Sequence, residues 1–166
     1  MSRRPRTGGI GQTKDVHERA LGLLAVRQRS RRELERRLTQ AGFPVEEVSE
    51  EILRLQAVGL IDDEAFARAV AEHAFGAKKQ GRRAVASKLA AAGVAADTSA
   101  AVLEELGGGE QGRAEELAAA RAGRMRGVPP DKAFSRLYGV LARRGFAPGI
   151  AREAARKALA LEAVED

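Results

Sequence analysis

The chain has 166 residues, a net charge of +6, a pI near 10.3 and no Cys, which excludes a disulfide framework or a thiolate metal site. No apolar run approaches the roughly 20 residues of a membrane-spanning helix, so the expectation is a soluble cytoplasmic protein without membrane contact. Aromatic residues make up 4% and Trp is absent, so any core must be Leu, Val, Ile and Ala, which suits close-packed helices better than a sandwich.

Residues 1–14, "MSRRPRTGGIGQTK", lack the hydrophobic centre of a secretory signal. With Arg3, Arg4, Arg6 and Lys14 against one large hydrophobe, they bury too little to offset the entropy of ordering and are expected to be a flexible basic tail. The run "GGIGQTK" has neither a preceding strand nor the Gly-Lys-Ser/Thr of a phosphate loop.

From Asp15 onward the pattern is helical. Asp15–Arg27 places Ala20, Leu21, Leu23 and Leu24 on one stripe. Ser30 and Glu33 form a capping box for a helix over Arg31–Ala41, whose core face is Leu34, Leu38 and Ala41. Gly42 supplies a left-handed stop, Phe43 the hydrophobic contact after it, and Pro44 opens a third helix to about Ala57 with Val48, Ile52 and Leu55 inward. Asp62 or Asp63 caps the next helix, to Phe75; Gly81 opens another that Gly93 closes, and a third carries Val102, Leu103 and Leu106. The run "GGGEQG" (107–112) is expected to be a flexible joint. Beyond it come a helix around Leu117, one over Pro130–Arg144 and one from Pro148 to about Leu161.

One phrase recurs through this order. "RRELERRLTQAGF" (31–43), "RRAVASKLAAAGV" (82–94) and "FSRLYGVLARRGF" (134–146) each place an apolar residue, Leu four later, Gly four later again and then a hydrophobe. The fold class is therefore all-α, as three tandem three-helix repeats over 15–60, 61–107 and 108–166 that form an elongated, curved array. Charge alternates with the same period: the balance is +7 over 1–45, −6 over 46–75, +5 over 76–94, −5 over 95–118 and +5 over 119–166.

Enzymatic constellations are lacking. His17 and His73 stand without a Cys, a second His or a nucleophile motif nearby and read as helix-surface residues. Asp62, Asp63 and Glu64 suit a helix start, where carboxylates complement the dipole, better than a cation site. Glu46, Glu47, Glu50 and Glu51 crowd one helix start as a solvated face, as ion-pair partners, or as a face that docks a basic partner, a reading shared by Asp62 and Asp63. No catalytic residue, metal ligand or cofactor is expected.

The basic positions carry more. Arg31 and Arg82, Arg32 and Arg83, and Arg37 and Lys88 are equivalent in the first two repeats. At 100° per residue from Leu34, Arg29, Arg32 and Arg36 fall at about 160–220°, opposite the core. Lys78 and Lys79 precede the second stripe; the third repeat breaks register and offers Arg136, Arg143, Arg144, Arg152 and Arg156 instead. Aligned outward stripes at this pI point to an anionic partner, either nucleic-acid backbone or an acidic protein filament. A groove-reading helix-turn-helix is disfavoured in the first repeat, because the helix after Phe43 begins with four Glu.

Three stretches resemble the RecX family of bacterial regulators of the RecA recombinase: "SRRELERRLTQAGF" (30–43), "GLIDDEAFARAVAE" (59–72) and "QGRRAVASKLAAAGV" (80–94). "LARRGFAPGIAREA" (141–154) is similar to the family's closing turn. Where the family often has Pro after the Gly of the second repeat, this chain has Arg82. The resemblance implies a non-enzymatic monomer that binds the groove of the RecA–DNA filament, over single- or double-stranded DNA. There it would suppress RecA's ATPase, strand-exchange and coprotease activities, tempering recombination and the SOS response. The alternative from a different class is a general nucleic-acid-binding helical protein with no dedicated protein partner.

Overall fold

The computed structural model describes residues 15–160; the expected basic tail lies outside the described residues. Within them the chain forms nine α-helices and no strand: α1 (Val16–Val26), α2 (Arg31–Gln40), α3 (Val45–Ala57), α4 (Asp63–Gly76), α5 (Arg82–Ala91), α6 (Ala96–Leu106), α7 (Glu110–Ala122), α8 (Pro130–Arg143) and α9 (Pro148–Ala158). A short 3₁₀ turn, Gly123–Met125, follows α7. The described residues divide into two compact units, 15–61 and 62–160.

The first unit is α1–α3. Asp15 caps α1, accepting from the Glu18 amide at 2.8 Å, and Ser30 caps α2, its Oγ accepting from the Glu33 amide at 3.1 Å. The core gathers Ala20, Leu34, Leu38, Val48, Ile52, Leu55 and Ile61. Leu34 and Leu38 are wholly buried, and truncating either to Ala would cost about 2–5 kcal/mol.

The second unit has two cores. Phe66, Phe75, Val85, Leu89 and Val102 centre one, with α6 packed on α4 and α5. The other is built from Leu117, Leu137, Leu141 and Phe146 against Ala151, Ala154 and Ala155 of α9, so small side chains let α9 lie close on α7 and α8.

The repeated phrase is a helix stop of one geometry. Gly42, Gly93 and Gly145 have φ of +97°, +75° and +86°, where a Cβ is strained. In each case the hydrophobe after Gly donates its amide to the Leu five residues back: Phe43 to Leu38 at 3.3 Å, Val94 to Leu89 at 3.0 Å and Phe146 to Leu141 at 3.3 Å. This is the Schellman closure, and it turns the chain so that the hydrophobe covers the helix it has just left.

The run 107–112 differs from the expected flexible joint. Glu110, Gln111 and Gly112 are the first turn of α7, and Arg113 reaches back to the carbonyls of Gly107 (3.1 Å) and Gly108. Both carbonyls lie just past the end of α6, so the guanidinium ties that turn to the start of α7.

Candidate nucleic-acid and partner interface

Helix α2 sets out the first unit's cations. Leu34 and Leu38 face the core, so Arg32 and Arg36 emerge on the opposite side, exposed and without an ion pair among the described residues. Arg31 lies 3.9 Å from Glu35, and Arg37 lies 3.4 Å from Glu33.

Arg29 departs from the expected outward stripe. It precedes the cap Ser30, where the backbone is extended, so the 100° helical projection does not extend to it. It is only 5% exposed: its Nε donates to the Leu23 carbonyl at 3.1 Å and its Nη1 to Glu33. Glu33 also takes Arg27 at 2.5 Å and so becomes the hub of three arginines. Burial pushes its carboxyl pKa up, but the hydrogen bonds from Arg27 and Arg29 outweigh that and hold it below the ordinary glutamate range.

The second unit sorts its cations into paired and unpaired. Lys79 is 2.9 Å from Glu116, and Arg82 is 3.3 Å from Glu104. Arg83, Arg136, Arg143 and Arg152 are exposed without a carboxylate partner among the described residues, and half-buried Arg156 also has none. Lys88 and Arg144 are both tied to the segment 78–80 that precedes α5. Arg144 Nη1 donates to the Lys78 carbonyl at 2.6 Å, and Lys88 Nζ donates to Gln80 Oε1 at 2.5 Å. Partial burial, with the charge of Lys78 nearby, lowers the Lys88 ammonium pKa.

A backbone junction underlies that meeting. The Gly81 amide donates to the Arg144 carbonyl at 2.9 Å and the Arg83 amide to the Gly145 carbonyl at 3.1 Å. Between them the Arg82 amide donates to the Glu110 carboxylate at 3.0 Å. Three successive amides opening α5 are thus satisfied by residues 28–63 positions further along the chain. Proline at 82 would delete the middle donor.

Sequence reasoning missed Arg113 altogether. Its guanidinium lies 4.4 Å from the Phe75 ring centroid as well as on the Gly107 and Gly108 carbonyls, and burial lowers its pKa. The detectable signal was a lone Arg three positions into a helix that follows a triple-Gly stop.

On the acidic side Glu46, Glu47 and Glu50 are exposed on α3. Glu51 does not share that solvated face: it is 2% exposed, its Oε1 2.6 Å from His17 Nδ1 and its Oε2 3.1 Å from Arg54. His17 is therefore partnered rather than isolated. Asp62 caps α4, accepting from the Ala65 amide at 3.0 Å, and Asp63 is that helix's first residue. No group of three or more His, Cys, Asp or Glu among the described residues could hold a metal ion, and no described helix is long and apolar enough to cross a membrane.

Known proteins share this arrangement. Residues 17–55 match the RecX first three-helix domain and residues 62–103 the RecX second three-helix domain. A protein of Mycolicibacterium smegmatis named "Regulatory protein RecX" is 40% identical over 91% of this chain and 81% of its own length. The chain belongs to the RecX family. "Regulatory protein RecX" of Thermobifida fusca is 34% identical over 95% of this chain and 88% of its own length, and that of Mycobacterium marinum is 36% identical over 95% and 92%. The crystal structure of RecX from Lactobacillus salivarius superposes with a TM-score of 0.74 at 20% identity, covering 86% of this chain and 94% of that one. A regulatory role is thus common to the named relatives, and the RecX fold is common to the solved structure.

Proposed function

We propose that the protein is a non-enzymatic regulator that binds the RecA–DNA filament as a monomer in the cytoplasm and inhibits RecA's ATPase, strand exchange and coprotease activity. Three repeats, over 15–60, 61–107 and 108–166, would lie along the filament. The observation that carries the reading is the set of exposed arginines without carboxylate partners among the described residues, Arg32 and Arg36 on α2 and Arg83 on α5, of which Arg32 and Arg83 hold equivalent places in the repeated phrase. Helices spend no folding energy on such residues, and unpaired outward cations are suited to phosphates or an acidic protein surface. Exposed Glu46, Glu47 and Glu50 would meet basic parts of the same partner. Inhibition then follows from differential affinity, because a ligand that prefers one filament state shifts the population toward it.

The unpaired cations also favour a second reading, a general nucleic-acid binder. Fluorescence anisotropy separates the two: labelled single-stranded DNA is titrated bare and as assembled RecA filament. The filament regulator binds the assembled filament far more tightly than bare DNA. Equal affinity for both, falling with salt by about 0.7 log units per phosphate contact, supports the general binder.

A further inference from the structure

Three cations belong to, or are tied to, the segment 78–80 beside the α5–α8 junction, and none is compensated by a carboxylate among the described residues. Arg144, from the end of α8, sets its guanidinium against the main chain of Lys78, in the loop before α5. Lys88, one helix further, is anchored on Gln80, two residues past Lys78. None of the three has a carboxylate partner among the described residues, whereas adjacent Lys79 and Arg82 are neutralised by Glu116 and Glu104. Lys78 and Lys88 are exposed and Arg144 is half-buried, so an anion can reach all three, and the charge of Lys78 adds to burial in lowering the Lys88 pKa. The loop itself is strained: Lys79 has φ +48°, a left-handed conformation that a non-Gly residue rarely adopts. Strain at a cation cluster is the kind of outlier from which a functional role is argued. The amides opening α5 cannot themselves hold an anion, since Arg144, Gly145 and Glu110 already occupy them.

We propose that Lys78, Lys88 and Arg144 form a composite clamp for one phosphodiester of a nucleic-acid backbone, a clamp that exists only while the Gly81–Arg144 junction is closed. The proposal rests on the reading that the protein acts on a nucleic-acid-containing target, and it adds where one phosphate sits and what its binding does. Since the ligand binds the closed junction alone, it stabilises that junction by mass action.

The test uses the full chain and a single-stranded oligothymidylate, with inorganic phosphate in a separate arm. Amide exchange at Gly81 and Arg83 is followed with and without oligonucleotide. At a hundred times the dissociation constant, exchange at both should slow about 100-fold, while amides of α1 stay unchanged. Lys78→Gln and Lys88→Gln should abolish the slowing yet leave ligand-free exchange as in wild type. Because the two lysines share one phosphate, the double variant should lose only about 0.7 from the logarithmic salt slope of binding, where independent surface lysines would lose about 1.4. Oligonucleotide binding without protection of Gly81 and Arg83 overturns the clamp. So does protection by inorganic phosphate that oligonucleotide cannot displace. Should wild type fail to inhibit RecA while the protection persists, the filament reading falls and the clamp stands; inhibition without protection gives the reverse.

Discussion

The amide of Gly81 donates to the carbonyl of Arg144 across 2.9 Å, and the backbones there leave no room for a methyl group: a Cβ on Gly81 would overlap the Gly145 carbonyl, and one on Gly145 would overlap Ala84. Gly81→Ala and Gly145→Ala should therefore each destabilise the second unit by about 1–3 kcal/mol through overpacking, with Gly145 the worse because its φ of +86° adds strain. Urea unfolding checks this as a lowered midpoint.

Other glycines should behave oppositely. Gly22 lies inside α1 and Gly112 inside α7, and a Cβ on either meets nothing within 4 Å. Gly22→Ala and Gly112→Ala should each stabilise by about 0.5–1 kcal/mol from the gain in helix propensity. The same unfolding curves should show their midpoints raised.

The helix stops and core were legible because they depend on local spacing. Leu34, Leu38, Val85, Leu89, Leu137 and Leu141, read as core from their fourfold periodicity, are all fully buried. What spacing could not convey was which charges fold inward. Arg29 and Glu51 look like surface residues in sequence, and their burial is tolerable because Glu33 and the Leu23 carbonyl meet Arg29 while His17 and Arg54 meet Glu51. Nor could spacing bring Gly81 to Arg144, 63 residues away, because that contact depends on how two helical groups pack.

Glu33 should leave a signature in the pH dependence of stability. Its folded pKa lies below its unfolded value of about 4.3. Its contribution is therefore present above that value and lost as pH falls through the lower folded pKa. Glu33→Gln should flatten this acid limb in thermal melts at pH 2–7. Glu33→Ala, which leaves Arg29 buried without its carboxylate, should cost about 3–5 kcal/mol at neutral pH.

The unpaired arginines should separate binding from folding. Arg32→Glu, Arg36→Glu and Arg83→Glu together should weaken filament binding roughly tenfold or more, about 1.4 kcal/mol, with unchanged far-ultraviolet circular dichroism. Arg29→Glu should instead lose helicity in the first unit, because a buried carboxylate would then face Glu33. Sedimentation with assembled filament, alongside the spectra, distinguishes the two outcomes.

The most direct test of filament-directed regulation is RecA's single-strand-dependent ATP hydrolysis with this protein titrated in. The account predicts inhibition at well below one copy per RecA, with bare single-stranded DNA bound only weakly under the same salt. Undiminished hydrolysis, together with tight and salt-sensitive binding to bare DNA, would contradict it.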